Sequence, residues 1–99
     1  AMLAHDSRVW ETVDPQDRRV MLTFAAWRHI CAKHPELMPF RGSLLQAIRT
    51  PRRQAPGRQP GEQWFYATGF GPTQFVKIAV HYEGDQGAIR TAFPRRRFP

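Results

Sequence analysis

The sequence predicts an α+β fold in which two N-terminal helices pack on one face of an antiparallel β-meander. Three observations carry that expectation. Apolar residues recur at helical spacing between Thr23 and Arg49. The last third of the chain alternates apolar and polar side chains, as strands do. Short Gly-containing turns separate those strands, and strands joined by tight turns pair antiparallel. Helices then cover one sheet face, and the other stays open to solvent or ligand.

Arg8 to Val13 alternates and reads as a short strand. Asp14-Pro15-Gln16-Asp17 is a turn by composition, with Pro15 setting its backbone angle. Arg19 to Leu22 resumes an extended, apolar segment. Thr23 reads as the N-cap of a helix on which Phe24, Trp27, Cys31 and His34 share a stripe, with Ile30 at its edge. His29 and Lys33 lie on the opposite side. Pro35 ends this helix, because the residue before a proline is pushed out of helical geometry. A second helix fits Arg41 to Arg49, with Phe40, Leu44, Leu45 and Ile48 as its apolar face. Thr50 to Gly61 holds three Pro, two Gly and three Arg, and reads as a basic loop. Glu62 to Phe70 is an aromatic strand, Gly71-Pro72 a turn, Gln74 to Tyr82 the clearest strand, and Ala88 to Phe93 the last one. Pro94 to Pro99 is a basic tail, and no internal repeat is visible. The expected organisation is one domain over residues 1–99: extended segment 8–22, helical part 23–49, loop 50–61, meander 62–93 and tail 94–99. Its expected core is Phe24, Trp27, Ile30, Cys31, Leu44, Ile48, Val76, Ile78 and Val80.

At 99 residues with 41% hydrophobic side chains, the chain has enough apolar mass to fold, though its core is modest. No apolar run approaches the roughly 18–20 residues that span a bilayer, so no membrane partner is expected. The first residues lack the apolar centre of a secretory leader, and Ala1 ahead of Met2 reads as a cloning remnant. The single cysteine, Cys31, excludes an internal disulfide and a cysteine-based zinc cluster, which makes a reducing cytoplasm the expected setting. Acids are few and scattered, and there is no metal-binding His pair or glycine-rich phosphate loop. The expectation is no metal and no cofactor.

Charge points to the partner. Fifteen basic residues against eight acidic ones give +7, and thirteen of the fifteen are Arg. Residues 37–61 hold Arg41, Arg49, Arg52, Arg53 and Arg58 with no acid, and residues 86–99 hold Arg90, Arg95, Arg96 and Arg97 with none. The guanidinium fork matches phosphate and keeps its charge at any working pH. A polyanion is the natural partner, RNA foremost; a basic surface meeting an acidic protein is the blander reading. The candidate RNA contacts are those arginines outside Arg90, with Tyr66 as an aromatic that can stack on a base.

Strand alternation sorts the C-terminal side chains. Val76, Ile78, Val80 and Tyr82 share the core face, whereas Lys77, Ala79 and His81 share the open one. Pairing Tyr82 with Ile89 would turn Thr91 and Phe93 inward and set His81 across from Arg90. His, Lys and Arg converging on an open sheet face suit RNA cleavage without a metal. Such cleavage needs a base for the ribose 2′-OH, an acid for the leaving 5′-oxygen, and cations for the phosphate. Polar residues on a solvated strand face are ordinary, and on the pattern alone that simpler reading leads. On spacing alone, His34 reads first as a structural residue at a helix end, and His29 as part of a solvated face.

Arg19-Val20-Met21-Leu22-Thr23, Trp27-Arg28-His29-Ile30 and His34-Pro35-Glu36-Leu37 form a recognisable series. Ile48 and Pro51, Trp64-Phe65-Tyr66, Lys77-Ile78-Ala79-Val80 and Thr91-Ala92-Phe93 extend it. Over residues 18–97 the series resembles small phage and bacterial proteins of the barnase–EndoU–colicin–RelE class, near BrnT-type toxins. The resemblance implies a RelE-like fold and a metal-independent, toxin-like endoribonuclease acting on tRNA or mRNA. It also implies an antitoxin or immunity protein as partner. By matching positions it makes His34, His29, Lys77 and Thr91 catalytic candidates, beside His81 and Arg90 from strand geometry. The acid-free loop at 51–61 departs from the group's pattern. The alternative is a non-catalytic basic module that binds nucleic acid or an acidic protein.

Overall fold

A computed structural model describes residues 8–69 and 75–95. The Gly71-Pro72 turn and the tail residues Arg96 and Arg97 lie outside them. The alternating segments at the start form a hairpin, β1 (Val9–Val13) and β2 (Arg19–Thr23). Thr23 is extended, and its hydroxyl accepts from the Ala26 N–H at 3.1 Å, which starts α1 (Phe24–Lys33). His34 ends that helix, its N–H donating to the Ile30 carbonyl at 2.8 Å. Pro35 then opens a 3₁₀ turn, Pro35–Phe40, which leads into α2 (Arg41–Arg49). The strands β3 (Arg53–Pro56), β4 (Glu62–Thr68), β5 (Phe75–Glu83) and β6 (Gln86–Arg95) complete the chain.

The expected plan of two N-terminal helices on an antiparallel meander does not hold. All six strands join one mixed sheet in the order β1-β2-β6-β5-β4-β3. The β1–β2 hairpin precedes the helices, and β2 pairs with β6 in parallel from Arg19↔Gln86 to Met21↔Ala88. Only two short α-helices are present among the described residues. The sheet dominates because both segments read as weak extended pieces find partners, one of them non-local. A second correction falls in the loop expected at 50–61. Arg53–Pro56 is an edge strand paired with β4 from Arg53↔Tyr66 to Pro56↔Gln63. Proline is tolerated on an edge strand, so Pro56, which read as a breaker, is the last residue of this one.

The core lies between the helices and one sheet face. Trp27, Ile30, Leu44 and Ile48 from the helices meet Val20, Leu22, Phe65, Val76, Ile78, Val80 and Ile89 from the strands. Cys31 is half-buried against this cluster. Phe24 packs instead on Trp10, ring to ring at 6.5 Å. The Thr12 hydroxyl donates to the Leu45 carbonyl at 3.0 Å and ties β1 to α2. Gly87 lies opposite Tyr82, where a Cβ would run into the Tyr82 ring and Val80.

The turn between β1 and β2 closes the core from one end. The Asp14 carboxylate, fully buried, accepts from the N–H groups of Gln16 and Arg18, from Arg18 Nε at 2.8 Å, and from the Tyr82 hydroxyl at 2.6 Å. The Arg18 guanidinium also lies 3.9 Å over the Tyr82 ring. Gln16 continues the contact sideways by accepting from Gln54 Nε2 of β3 at 2.9 Å. Asp17 takes a left-handed backbone (φ 65°), a conformation aspartate tolerates in turns.

Candidate functional site

The helices leave the second face of the sheet uncovered, and its centre is set by a β-bulge. Val80 pairs with Ile89 while Ala79 pairs with Thr91, so Arg90 is the extra residue of β6. The bulge reverses the facing of everything after it. Ala92 is fully buried in the core, and Thr91 lies opposite Ala79 on the open face. The expected inward orientation of Thr91 is therefore corrected, and so is the pairing that set His81 across from Arg90. His81 pairs with Ala88, and Tyr82 with Gly87.

A recess forms on this face around Ala79. Gln59, Glu62, His81, Arg90 and Thr91 line one half of it. Arg58, Trp64, Lys77 and Phe93 line the adjoining half, which shares Ala79, Thr91, Glu62 and Gln59. Lys77 and His81 are four residues apart, about 13 Å along the strand. The Lys77 ammonium closes part of that gap, because it sits 3.4 Å over the ring of Trp64, whose own strand partner is Ala79. Lys77 and His81 thus flank the small Ala79 from either side. Phe93 supports Lys77 from β6, with the ammonium 5.7 Å from its ring centre.

Local charge tunes these groups. Burial lowers Lys77 below its usual value, and Arg95 and Arg58 add to that against a weaker upward pull from Glu62. The Glu62 carboxyl is held below the usual carboxylate range, first by the Gln59 backbone N–H. Burial pushes the other way, and hydrogen bonds from Trp64 and the Arg58 N–H, with the charge of Lys77, add smaller downward pulls. His81 Nε2 lies 3.7 Å from a Glu83 carboxylate oxygen.

The structure brings Lys77, His81, Arg90 and Thr91 to one recess. His34 stands at its margin, its ring edge-on to Phe93 at 6.3 Å. His29 is exposed on α1 beside Ala25, Arg28 and Ala32, apart from the recess. Among the predicted RNA contacts, Arg58 lines the recess, Arg95 ends β6 opposite Phe75, and Arg53 faces Tyr66 on β3. Tyr66 is 5% exposed, too deeply buried for its ring to stack on a base. Arg52 lies beside Thr50, Thr68 and the end of α2. Arg41 stacks on Trp10 at 4.2 Å, and Arg49 ends α2 in solvent. Sequence reasoning missed Glu62, Trp64 and Gln59. Glu62 and Trp64 alternate on β4 in step with His81 and Ala79, a signal that register alone reveals.

No protein family, curated protein or solved structure matches the chain. The described residues contain no group of three His, Cys, Asp or Glu placed to hold a metal ion. No helix among them is long and apolar enough to cross a membrane.

Proposed function

We propose that the protein is an endoribonuclease that binds single-stranded RNA across the open sheet face and cleaves it at the Ala79 recess by proton transfer. The observation that carries this reading is the pair Lys77 and His81 flanking Ala79, with Thr91 and Arg90 beside them. In the cleavage step His81 takes the proton of the ribose 2′-OH, and the 2′-oxygen attacks phosphorus. The bond from phosphorus to the 5′-oxygen breaks, and Lys77 gives that oxygen its proton. The product ends are a 2′,3′-cyclic phosphate and a 5′-hydroxyl. Imidazole exchanges protons near neutral pH, and a lysine held below its usual value is a better donor than a free one. Arg90 neutralises the phosphate, and the Thr91 hydroxyl donates to a non-bridging oxygen. His34, against Phe93, lies where a neighbouring nucleotide passes. An RNA substrate fits a cytoplasmic protein, and an acidic antitoxin or immunity protein covering this basic face would hold such an activity in check.

The test is incubation with tRNA and total RNA in excess chelator, with mapping of 2′,3′-cyclic ends. Lys77→Ala and His81→Ala are each expected to lower the rate by about 10²–10⁴ while the fold stays intact. The rate should also fall at alkaline pH as Lys77 loses its proton, at a midpoint below 10.5. Binding without cleavage is the second reading, favoured by the Glu83 carboxylate that faces His81 Nε2. RNA retained uncut by the wild-type chain would select it.

A further inference from the structure

The turn that joins β3 to β4 passes beside the recess, and one carboxylate holds its shape. Glu62 Oε1 accepts from the Arg58 N–H at 2.9 Å and from the Gln59 N–H at 3.1 Å. The same residue closes the turn through its backbone, its N–H donating to the Gln59 carbonyl and its carbonyl accepting from the Gly57 N–H. Its side chain lies against Gly57, where a Cβ would overlap it. Gly57 is therefore the residue that lets the carboxylate reach under the turn. Arg58 and Gln59, the two residues whose amides are held, are also the two that the turn contributes to the recess.

From this arrangement we infer that Glu62 is a positioning residue for substrate. It clamps residues 57–61 so that Arg58 stands over the recess as a preset contact for an RNA phosphate. The inference rests on the RNA reading above and adds to it a residue that acts through another. A loose turn would have to be ordered on binding, and that ordering costs affinity. The clamp removes the cost in advance. It works through hydrogen-bond acceptance by Oε1, which an amide oxygen can reproduce and a methyl group cannot.

The test compares Glu62→Ala, Glu62→Gln, Gly57→Ala, Arg58→Ala and the double variant Glu62→Ala/Arg58→Ala. A single-stranded RNA oligonucleotide is the probe, and KM and kcat are read separately, or Kd if the RNA is held uncut. Glu62→Ala and Gly57→Ala should raise KM or Kd by roughly five- to tenfold, about the net worth of one hydrogen bond. The kcat should change less than twofold. Glu62→Gln should stay within about twofold of wild type, because it keeps the acceptor. The double variant should be no weaker than Arg58→Ala alone, since both changes remove the same interaction. Amide exchange at Arg58 and Gln59 should quicken in Glu62→Ala and not in Glu62→Gln. Additive effects, an unchanged KM in Glu62→Ala, or a Glu62→Gln variant as weak as Glu62→Ala would overturn the inference while leaving the RNA reading standing. A wild-type chain that neither binds nor cleaves the oligonucleotide would instead remove the RNA reading, and the role of Arg58 with it.

Discussion

Asp14 is a fully buried carboxylate in a domain with little core to spare, so its partners decide its effect. Burial by itself raises its pKa. The Tyr82 hydroxyl, the Arg18 N–H and the Arg18 guanidinium together outweigh burial and hold the carboxyl below its usual 3.8. The Tyr82 phenol shifts the other way, well above its ordinary range, by burial and then by the carboxylate it bonds. A lowered folded pKa makes the contribution to stability complete above about 3.8, and that contribution is lost as pH falls through the folded value. Asp14→Asn replaces a charged acceptor for four donors and should cost about 1–3 kcal/mol at neutral pH. The difference from wild type should close as the solution is taken from neutral into strong acid. Urea melts of both proteins across that range check it. A gap that stays constant with pH would mean the carboxylate charge contributes nothing. Nothing in the sequence pattern singled out this residue: Asp14-Pro15 reads as an ordinary surface turn, and only the fold brings Tyr82, 68 residues on, to meet it.

The bulge at Arg90 acts at the scale of the strand. With Arg90 removed, Ile89 would still pair with Val80 and Thr91 with Ala79, now as consecutive residues of a plain ladder. Ile89 and Ala92 would keep facing the core, and Thr91 and Phe93 the open side. Deletion of Arg90 should therefore leave a folded protein with a cooperative melt and should remove only the phosphate contact proposed for Arg90. Deletion of Ala92 shifts every later pairing by one residue and turns Phe93 toward the core, so it should unfold or badly destabilise the domain. Circular dichroism melts of the two deletions decide between this picture and an unbulged strand, for which both would be equally damaging. The same element explains what could be read in advance. Strand alternation placed Val76, Ile78 and Val80 against the core and Lys77 and His81 on the other side, because β5 is regular. It failed at Thr91, because one inserted residue inverts the parity and carries no compositional mark. It failed again at Arg53–Pro56, where an edge strand of only four residues itself ends on a proline. The parallel pairing of β2 with β6 joins segments far apart in the chain, Arg19 with Gln86, and no local pattern encodes such a neighbour.

Over the whole molecule, the sheet divides the arginines into two populations. Arg58 and Arg95 are near enough to Lys77 to lower its pKa, which places their charge around the recess. Arg41 and Arg49 belong to α2, whose Leu44, Ala47 and Ile48 enter the core from the opposite side of the sheet. Composition alone could not separate them, since both groups come from acid-free stretches of chain. On the proposed reading, a strand of RNA lying on the open face would meet the first pair and would be kept from the second by the thickness of the sheet. Removing one phosphate-neutralising charge should reduce the slope of log affinity against log salt by about 0.7 for a single strand. The double variant Arg58→Gln/Arg95→Gln should thus lower the slope by up to about 1.4 and weaken binding to all sequences alike, because phosphate contacts position without specifying. Arg41→Gln/Arg49→Gln carries the same change in net charge and should leave the slope near the wild-type value. Titrations of a labelled oligonucleotide from low to physiological salt, with melting curves to show that both variants fold, separate the outcomes. Equal slopes for the two variants would mean that net charge alone draws the RNA and that the open face holds no defined track.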